Sequence, residues 1–237
     1  TDSAVISESK ATTSAALASR VFSAISLSLK VMALPMVAFT SADLDLGDRQ
    51  DAEARSRAYA RLADALGVPV AVAAQVHGAD VLHVQGSGTA DDGLVDLTDH
   101  RADALVTATR GVALAVRVAD CVPICLAAAD GSAVAAVHAG RQGLLDGVIG
   151  AAVAELRSLT DAPLLAWVGP HVCGTCYEVP DAMAADAAGR LGTEVPTTRW
   201  GTRGIDLGAG ARRQLEVAGV EVTELGACTL EDDRLHS

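Results

Sequence analysis

Two apolar runs in the middle of the chain are separated by a single turn signal, Asp130-Gly131. The first run covers residues 122–129 and the second covers residues 133–137. An Asp-Gly pair between two apolar segments is typical of a tight β-hairpin turn. The pattern therefore predicts two paired strands whose open end carries Cys121, which precedes the first run, and His138, which follows the second.

The rest of the chain mixes helical and extended hydrophobic patterns without a regular βαβ order. Apolar residues recur at helical spacing in 50–66, 143–159, 181–191 and 206–218, and short apolar runs predict strands at 36–40, 70–76, 80–84, 103–107, 112–118, 164–168 and 220–225. Residues 86–98 are rich in Gly and Asp and predict a loop. Elements in this order predict an α+β fold of layered mixed β-sheets flanked by helices.

Residues 1–34 are expected to form an N-terminal extension, because they are rich in Ser, Ala and Thr. From Thr13 onward the apolar residues fit a marginal amphipathic helix, and a flexible extension fits the composition equally well. Residues 30–42 resemble a secretory signal, but Pro35 and the distance from the N-terminus favour a strand instead. No linker-like stretch divides residues 35–237, which we expect to form one catalytic domain.

Composition and charge narrow the function classes. The formal net charge of -12 at pH 7 disfavours binding to nucleic acid or to an anionic membrane, since both attract clustered Lys and Arg. No stretch approaches the roughly 20 apolar residues of a membrane span. Five cysteines in a chain of this length indicate free or metal-bound thiols in a reducing, cytoplasmic compartment. A protein that acts on small molecules fits these features best.

Three histidines at predicted strand ends are candidates for chemistry: His77, His138 and His171. Two of them, together with Cys121, form the set that we call the trio: His77, Cys121 and His138. The trio supplies two nitrogens and one sulfur, and three such ligands with an open fourth position are typical of a catalytic zinc site.

The pair Cys173-x-x-Cys176 is a weak signal for a redox motif or a zinc knuckle. No second such pair is present, and the neighbouring Pro and Gly predict an irregular loop with a structural or substrate-lining role. Either cysteine could also supply a fourth ligand and turn the trio into a closed structural site. Cys125 lies in an apolar strand four residues after Cys121 and is expected to be a buried core residue.

Two charged residues flank the trio. Asp120 precedes Cys121, and its side chain is expected on the opposite face of the strand, as a turn carboxylate or as a catalytic group. Arg141 lies three residues beyond His138, near a predicted helix N-terminus where phosphate or carboxylate binds readily. No P-loop, G-x-S-x-G or dinucleotide fingerprint is present in the sequence.

Five ordered motifs carry a family resemblance. They are Q-V-H-G-A-D-V at 75–81, A-D-A-L-V-T at 102–107, A-D-C-V-P at 119–123, A-A-V-H-A-G at 135–140, and Gly-Pro followed by C-Y-E-V within 169–179. Together they resemble the YfiH family, which is described as laccase-domain or multicopper polyphenol oxidase proteins, as purine nucleoside phosphorylases and as peptidoglycan editing factors. The resemblance extends from Phe39 to Arg234.

The resemblance implies a cytoplasmic, YfiH-like single domain whose His/Cys/His site binds zinc, with copper as the other candidate ion. It also implies phosphorolysis of purine nucleosides, including methylthioadenosine, and deamination of adenosine. Purine nucleosides and phosphate would then be the partners of a monomer or weak homodimer. His77, Cys121 and His138 carry over as both metal ligands and catalytic residues, and Asp120 is a further catalytic candidate.

The chain departs from the family pattern at three places. Many members read His-Ala-Gly-Trp-Arg-Gly where this chain has His-Ala-Gly-Arg-Gln-Gly, so Gln142 stands at the usual arginine position. Arg141, Gln142 and Tyr177 of the C-Y-E-V motif are the expected residues for binding substrate or phosphate. The segment Ser-x-Asn-Leu-Gly is shortened to Asp-Leu-Asp-Leu-Gly at 43–47. The family's tail usually continues through a Ser-Tyr-Arg-Arg segment, whereas this sequence stops at Leu235-His236-Ser237.

Three other functions stay open at this point. A metal-free cysteine hydrolase or amidase that acts in peptidoglycan editing would use Cys121 as nucleophile and His138 as base. A copper-dependent, laccase-like polyphenol oxidase is disfavoured, because the six histidines include no His-x-His pair. A non-catalytic cell-wall accessory protein would act through partner binding alone.

Overall fold

A computed structural model describes residues 3–9, 35–47, 51–86 and 93–237 of the chain. The strands are β1 (Ser3–Ser9), β2 (Pro35–Phe39), β3 (Val70–Ala74), β4 (Val81–His83), β5 (Leu94–Arg101), β6 (Ala104–Thr107), β7 (Ala113–Val118), β8 (Val122–Ala128), β9 (Val134–Ala139), β10 (Leu164–Val168) and β11 (Glu221–Glu224). The helices are α1 (Ala52–Leu66), α2 (Arg141–Asp146), α3 (Val148–Leu159), α4 (Asp181–Leu191) and α5 (Leu207–Val217).

The strands form two mixed sheets. The first has five strands in the order β2-β1-β7-β3-β5, and the second has six in the order β11-β10-β8-β9-β6-β4. In the first sheet β1 pairs antiparallel with β2 and β7, whereas β3 pairs parallel with β5 and β7. The second sheet is built around the antiparallel hairpin of β8 and β9, which confirms the central prediction from the Asp-Gly turn.

The two sheets pack face to face, because the strands of the hairpin are apolar on both sides. Ile124 and Leu126 of β8 point to one core cluster, and the alternating Cys125 and Ala127 point to another. The second cluster also contains Leu114 of β7, so it fills the space between the sheets. Small side chains such as Ala suit this tightly packed layer.

Helices cover the outer face of each sheet. On the five-stranded sheet, Tyr59 and Leu62 of α1 pack against Val70 and Val72 of β3. On the six-stranded sheet, buried residues of α2 to α5 join those of β6, β8, β9 and β10 in one cluster. The result is a helix-sheet-sheet-helix order, which confirms the predicted layered α+β fold.

Two predicted elements are wrong in detail. The predicted loop at 86–98 overlaps strand β5, and the single helix predicted at 143–159 is two helices. They are separated by Gly147, whose φ of 91° lies in the left-handed region that an α-helix does not use. The difference moves the first helical residue to Arg141, directly behind the hairpin.

The N-terminal prediction is tested only in part. Residues Ser3–Ser9 form a strand between β2 and β7, although they fall in the segment predicted as an extension. The helical pattern that starts at Thr13 lies outside the described residues. Among the helices in the described part of the chain, none has the length and apolar character needed to cross a membrane.

Candidate metal centre

A buried carboxylate fixes the turn that carries the first histidine of the trio. Asp103 is fully buried and accepts hydrogen bonds from the backbone N–H groups of Val76, His77 and Gly78, at 3.1, 2.9 and 2.8 Å. His77 has a φ of 60°, which non-glycine residues rarely adopt. The three hydrogen bonds hold this strained turn in place and set the direction of the His77 side chain.

The same carboxylate orients the second histidine. His138 is 3% exposed, and its Nδ1 lies 2.7 Å from Asp103 Oδ1. The backbone N–H of His138 also donates to the Asp103 carbonyl at 2.7 Å. The contact with Oδ1 favours the tautomer that carries its proton on Nδ1, which leaves Nε2 as the nitrogen available for a ligand. A histidine held by a carboxylate in this way is typical of metal sites.

Cys121 lies on a tight turn between β7 and β8. Its neighbour Asp120 has a φ of 74°, and the Asp120 carboxylate accepts a hydrogen bond of 2.6 Å from the Thr229 hydroxyl. The Asp120 carbonyl accepts a second bond, of 3.0 Å, from the Val172 N–H. The Asp120 side chain is therefore engaged with the C-terminal segment, and both contacts fix the turn from which Cys121 projects.

The trio meets at the open end of the hairpin, as the sequence predicts. Cys121 Sγ lies 3.8 Å from His77 Nε2, and the two imidazole rings meet edge to face with centroids 4.8 Å apart. One ligand atom from each of the three residues lies within 4.8 Å of the other two. His77 is exposed, Cys121 half-buried and His138 buried, so the site opens to solvent on the side of His77.

The donor set fits a metal ion. Two imidazole nitrogens and a thiolate match the ligands that zinc uses, and the three atoms lie close enough to one another to form a group that could hold an ion. The Asp103 contact supplies the outer support that metal-binding histidines usually have. Three protein ligands with one solvent-exposed side leave room for a substrate or water.

The three ionisable groups around this centre influence one another. Burial alone would raise the pKa of Asp103, but hydrogen bonds from His138 and from the 76–78 turn outweigh it, and the pKa lies below its usual value. Burial alone would lower the pKa of His138, but hydrogen bonds to Asp103 and Cys121 outweigh it and raise the pKa to about 9. Burial and the neighbouring His138 lower the pKa of His77. A metal would therefore have to displace a proton from His138 at neutral pH.

Two glycines permit the close approach of the three segments. A Cβ atom on Gly140 would lie 2.7 Å from His77 Cδ2 and 3.2 Å from Cys121 Sγ. A Cβ atom on Gly143 would lie 2.4 Å from the Gly78 carbonyl oxygen. Helix α2 can therefore pack against the His77 turn only because these positions carry no side chain.

The three predicted substrate-binding residues, Arg141, Gln142 and Tyr177, lie in different environments. Arg141 begins helix α2 directly after the hairpin, is half-buried, and forms no ion pair with any carboxylate in the described ranges. Gln142 is exposed, and its amide donates to both carboxylate oxygens of Asp146 at 2.8 Å. Tyr177 follows the Cys173-x-x-Cys176 loop, is partly buried, and packs against the core cluster of the six-stranded sheet.

The remaining histidine and cysteines lie apart from the trio. His171 Nδ1 contacts the Gly169 carbonyl at 2.8 Å, and the ring packs against Gly208. Cys125 is fully buried, as predicted. Cys173 and Cys176 belong to a separate group with Cys228 and Glu231, so they do not close the trio with a fourth ligand.

Asp103 is the residue that sequence reasoning missed. It lies inside the A-D-A-L-V-T motif, at the start of a predicted strand, where a carboxylate is usually exposed to solvent. The available signal was its position between two alanines that precede a buried run, since a charge there needs partners.

Comparison with known protein families gives a match over most of the chain. The family model described as multi-copper polyphenol oxidoreductase laccase matches residues 31–237. A Corynebacterium glutamicum protein named purine nucleoside phosphorylase is 39% identical over 204 residues, which cover 83% of this chain and 81% of that protein.

Solved structures show the same fold. A Neisseria meningitidis protein is 31% identical, with a TM-score of 0.66 over 82% of this chain and 79% of its own. Bacillus licheniformis YfiH is 23% identical, with a TM-score of 0.67 over 82% of this chain and 78% of its own. These neighbours and the family model confirm the YfiH resemblance and the single α+β domain.

Proposed function

The chain belongs to the multi-copper polyphenol oxidoreductase laccase family, and we propose that it acts as a purine nucleoside phosphorylase at the trio. The observation that carries the proposal is the convergence of His77, Cys121 and His138, whose ligand atoms lie within 4.8 Å of one another, with Asp103 holding His138 Nδ1 and the backbone of His77. The name of the Corynebacterium glutamicum relative supplies the substrate class.

We propose zinc as the ion that the trio holds. Two nitrogens and one thiolate suit zinc, whereas a multi-copper oxidase needs several centres rich in histidine. In the described part of the chain, the trio is the only potential metal cluster that contains histidine. A zinc ion at this place would supply a Lewis acid that polarises a bound oxygen and lowers the pKa of a bound water.

Phosphorolysis needs an anion held beside the ribose. The reaction forms a bond from phosphate to C1′ and breaks the bond from C1′ to the purine nitrogen, while positive charge develops on the ribose. Arg141, which begins helix α2 three residues after His138, is the first candidate to bind this phosphate. Gln142 is the second candidate, and it would have to release Asp146 to reach the anion. Tyr177 is proposed to bind substrate on the strength of the family motif.

Asp120 has a different role in this proposal. Its carboxylate is engaged by Thr229 and its carbonyl by Val172, which favours positioning of Cys121 over direct proton transfer. His77, the exposed member of the trio, borders the solvent-exposed side on which a nucleoside would enter.

The proposal includes two finer activities. Methylthioadenosine would be cleaved in the same way as other purine nucleosides. Adenosine would also be deaminated, with water replacing the amino group at C6 and ammonia leaving, because a water activated at the trio suits that reaction. The competing reading is a metal-free cysteine hydrolase, in which Cys121 would attack the substrate with a histidine as base.

The test is product analysis with zinc-loaded protein. Inosine with phosphate should give hypoxanthine and ribose 1-phosphate, and adenosine without phosphate should give inosine. Cys121→Ala should abolish both reactions, whereas Cys125→Ala, the same change at a buried thiol outside the trio, should retain them. Absence of ribose 1-phosphate from every nucleoside tried would refute phosphorolysis. Full activity after stoichiometric removal of zinc would favour the metal-free hydrolase.

A further inference from the structure

A second group of metal-ligand side chains lies apart from the trio. Cys173 and Cys176 are in the loop after β10, and Cys228 and Glu231 are in the segment after β11. One ligand atom from each of the four residues lies within 4.8 Å of those of the other three. All three cysteines are free thiols. The loop and the C-terminal segment come together although about 50 residues separate them in sequence.

Both halves of this group use the same type of turn. The N–H of Cys176 donates to the Cys173 carbonyl at 2.9 Å, and the N–H of Glu231 donates to the Cys228 carbonyl at 3.1 Å. Each turn therefore places two ligand side chains, three positions apart, on one side of the backbone. The halves are joined by the N–H of Cys173, which donates to Cys228 Sγ at 3.3 Å.

The chemistry of the four donors points to zinc. Three sulfurs and one carboxylate oxygen fill a tetrahedral site, and pairs of ligands separated by two residues are the usual spacing in structural zinc sites. Soft thiolates disfavour magnesium and calcium, which prefer oxygen ligands. Arg199 Nη1 lies 3.4 Å from Glu231 Oε1, so one positive charge offsets part of the negative charge of the ligands.

The geometry points to a structural zinc site formed by Cys173, Cys176, Cys228 and Glu231, independent of the trio. We call these four residues the second cluster. With four protein ligands the site would be closed, so it would bind the ion without offering it to a substrate. Binding replaces the three thiol protons by bonds to the metal, and the protons are released to solvent.

The second cluster would act on the catalytic turn through its neighbours in sequence. Val172, which precedes Cys173, donates to the Asp120 carbonyl at 3.0 Å. Thr229, which follows Cys228, donates to the Asp120 carboxylate at 2.6 Å. Both contacts that fix the turn before Cys121 thus come from residues adjacent to proposed ligands. A zinc ion there would join the two supporting segments and hold Cys121 in place.

The first experiment counts zinc in variants that separate the two sites. Cys121→Ala removes a ligand of the trio, and the variant should retain one zinc ion per chain after dialysis that removes unbound metal. Adding Cys228→Ala should remove that ion, whereas adding Cys125→Ala, at a buried thiol outside both groups, should retain it. Zinc content is independent of phosphorolysis, so the result stands whether or not the proposed activity is found.

Two further measurements do not depend on the Cys228→Ala change, which could prevent folding. Cobalt bound to the Cys121→Ala protein should give strong sulfur-to-cobalt absorption with the ligand-field bands of a tetrahedral site. Glu231→Gln changes one exposed ligand and should weaken zinc retention against a chelator by about 10-fold or more, with the fold intact. The inference is overturned if Cys121→Ala protein binds no cobalt with these absorption bands. It is also overturned if mass spectrometry of protein purified under reducing conditions finds a disulfide among Cys173, Cys176 and Cys228.

Discussion

Replacing Asp103 by Asn tests how the metal centre is organised. The carboxylate has two oxygens, and each accepts two hydrogen bonds: Oδ1 from the His77 N–H and His138 Nδ1, and Oδ2 from the Val76 and Gly78 N–H groups. An asparagine side chain has one oxygen and one NH₂ group. Whichever way the amide is turned, its NH₂ group faces two donors that have lost their acceptor.

The expected cost follows from that count. A hydrogen bond to a charged, buried group contributes about 1.5 to 3 kcal/mol, so two lost bonds should lower the free energy of unfolding by about 3 to 6 kcal/mol. His138 can recover one bond by moving its proton from Nδ1 to Nε2. That tautomer blocks the nitrogen that faces the trio, and zinc affinity should then fall by about 10- to 100-fold.

Urea unfolding of the zinc-free protein and chelator competition of the zinc-loaded protein measure the two effects separately. Asp80→Asn is the matched control, because Asp80 is exposed and contacts Asp103 and Ala104 only through its backbone carbonyl. It should leave both quantities unchanged. The reasoning is refuted if Asp103→Asn unfolds at the same urea concentration as the wild type and retains zinc equally well.

Three further predictions concern packing, pH and phosphate. Gly140→Ala should abolish zinc binding at the trio, because its Cβ would lie 2.7 Å from His77 Cδ2. Gly150→Ala is the control, because the space around Gly150 is open. It should bind zinc normally and raise the free energy of unfolding by about 0.5 to 1 kcal/mol. In zinc-free protein the raised pKa of His138 stabilises the fold at low pH. Urea titrations should therefore show the free energy of unfolding falling by about 3 kcal/mol as the pH rises from 6.5 to about 9. A free energy of unfolding that does not change over this pH range would contradict the prediction. Arg141→Gln should raise the KM for phosphate by about 10-fold or more with zinc content unchanged, and an unchanged KM would remove Arg141 from the site.

The sequence predicts most of the core elements because their apolar runs are long and clearly bounded. Strand β10 and helix α4 have the bounds that the pattern indicates. Strand β5 is not predicted, because most of its positions are exposed and carry polar residues, so its apolar pattern is too sparse to indicate a strand. The division at Gly147 is equally hidden, since a single glycine within a helical pattern does not show whether its φ is positive.

The sequence predicts the members of the trio but not the residues that reach the site through long-range contacts. His138 and Cys121 follow from the hairpin, and His77 follows from its place at a strand end. The role of Asp103 depends on contacts with residues 25 to 35 positions away in sequence. The second cluster likewise requires Cys228 and Glu231, whose approach to the Cys173 loop is a property of the tertiary fold.

Anomalous diffraction at the zinc edge, from crystals of zinc-supplemented protein, tests the central claim most directly. The account predicts a peak at the trio, about 2.3 Å from Cys121 Sγ and about 2.0 to 2.1 Å from one nitrogen of His77 and of His138. A map with no peak there, while His138 still contacts Asp103 and all three side chains are ordered, would contradict it.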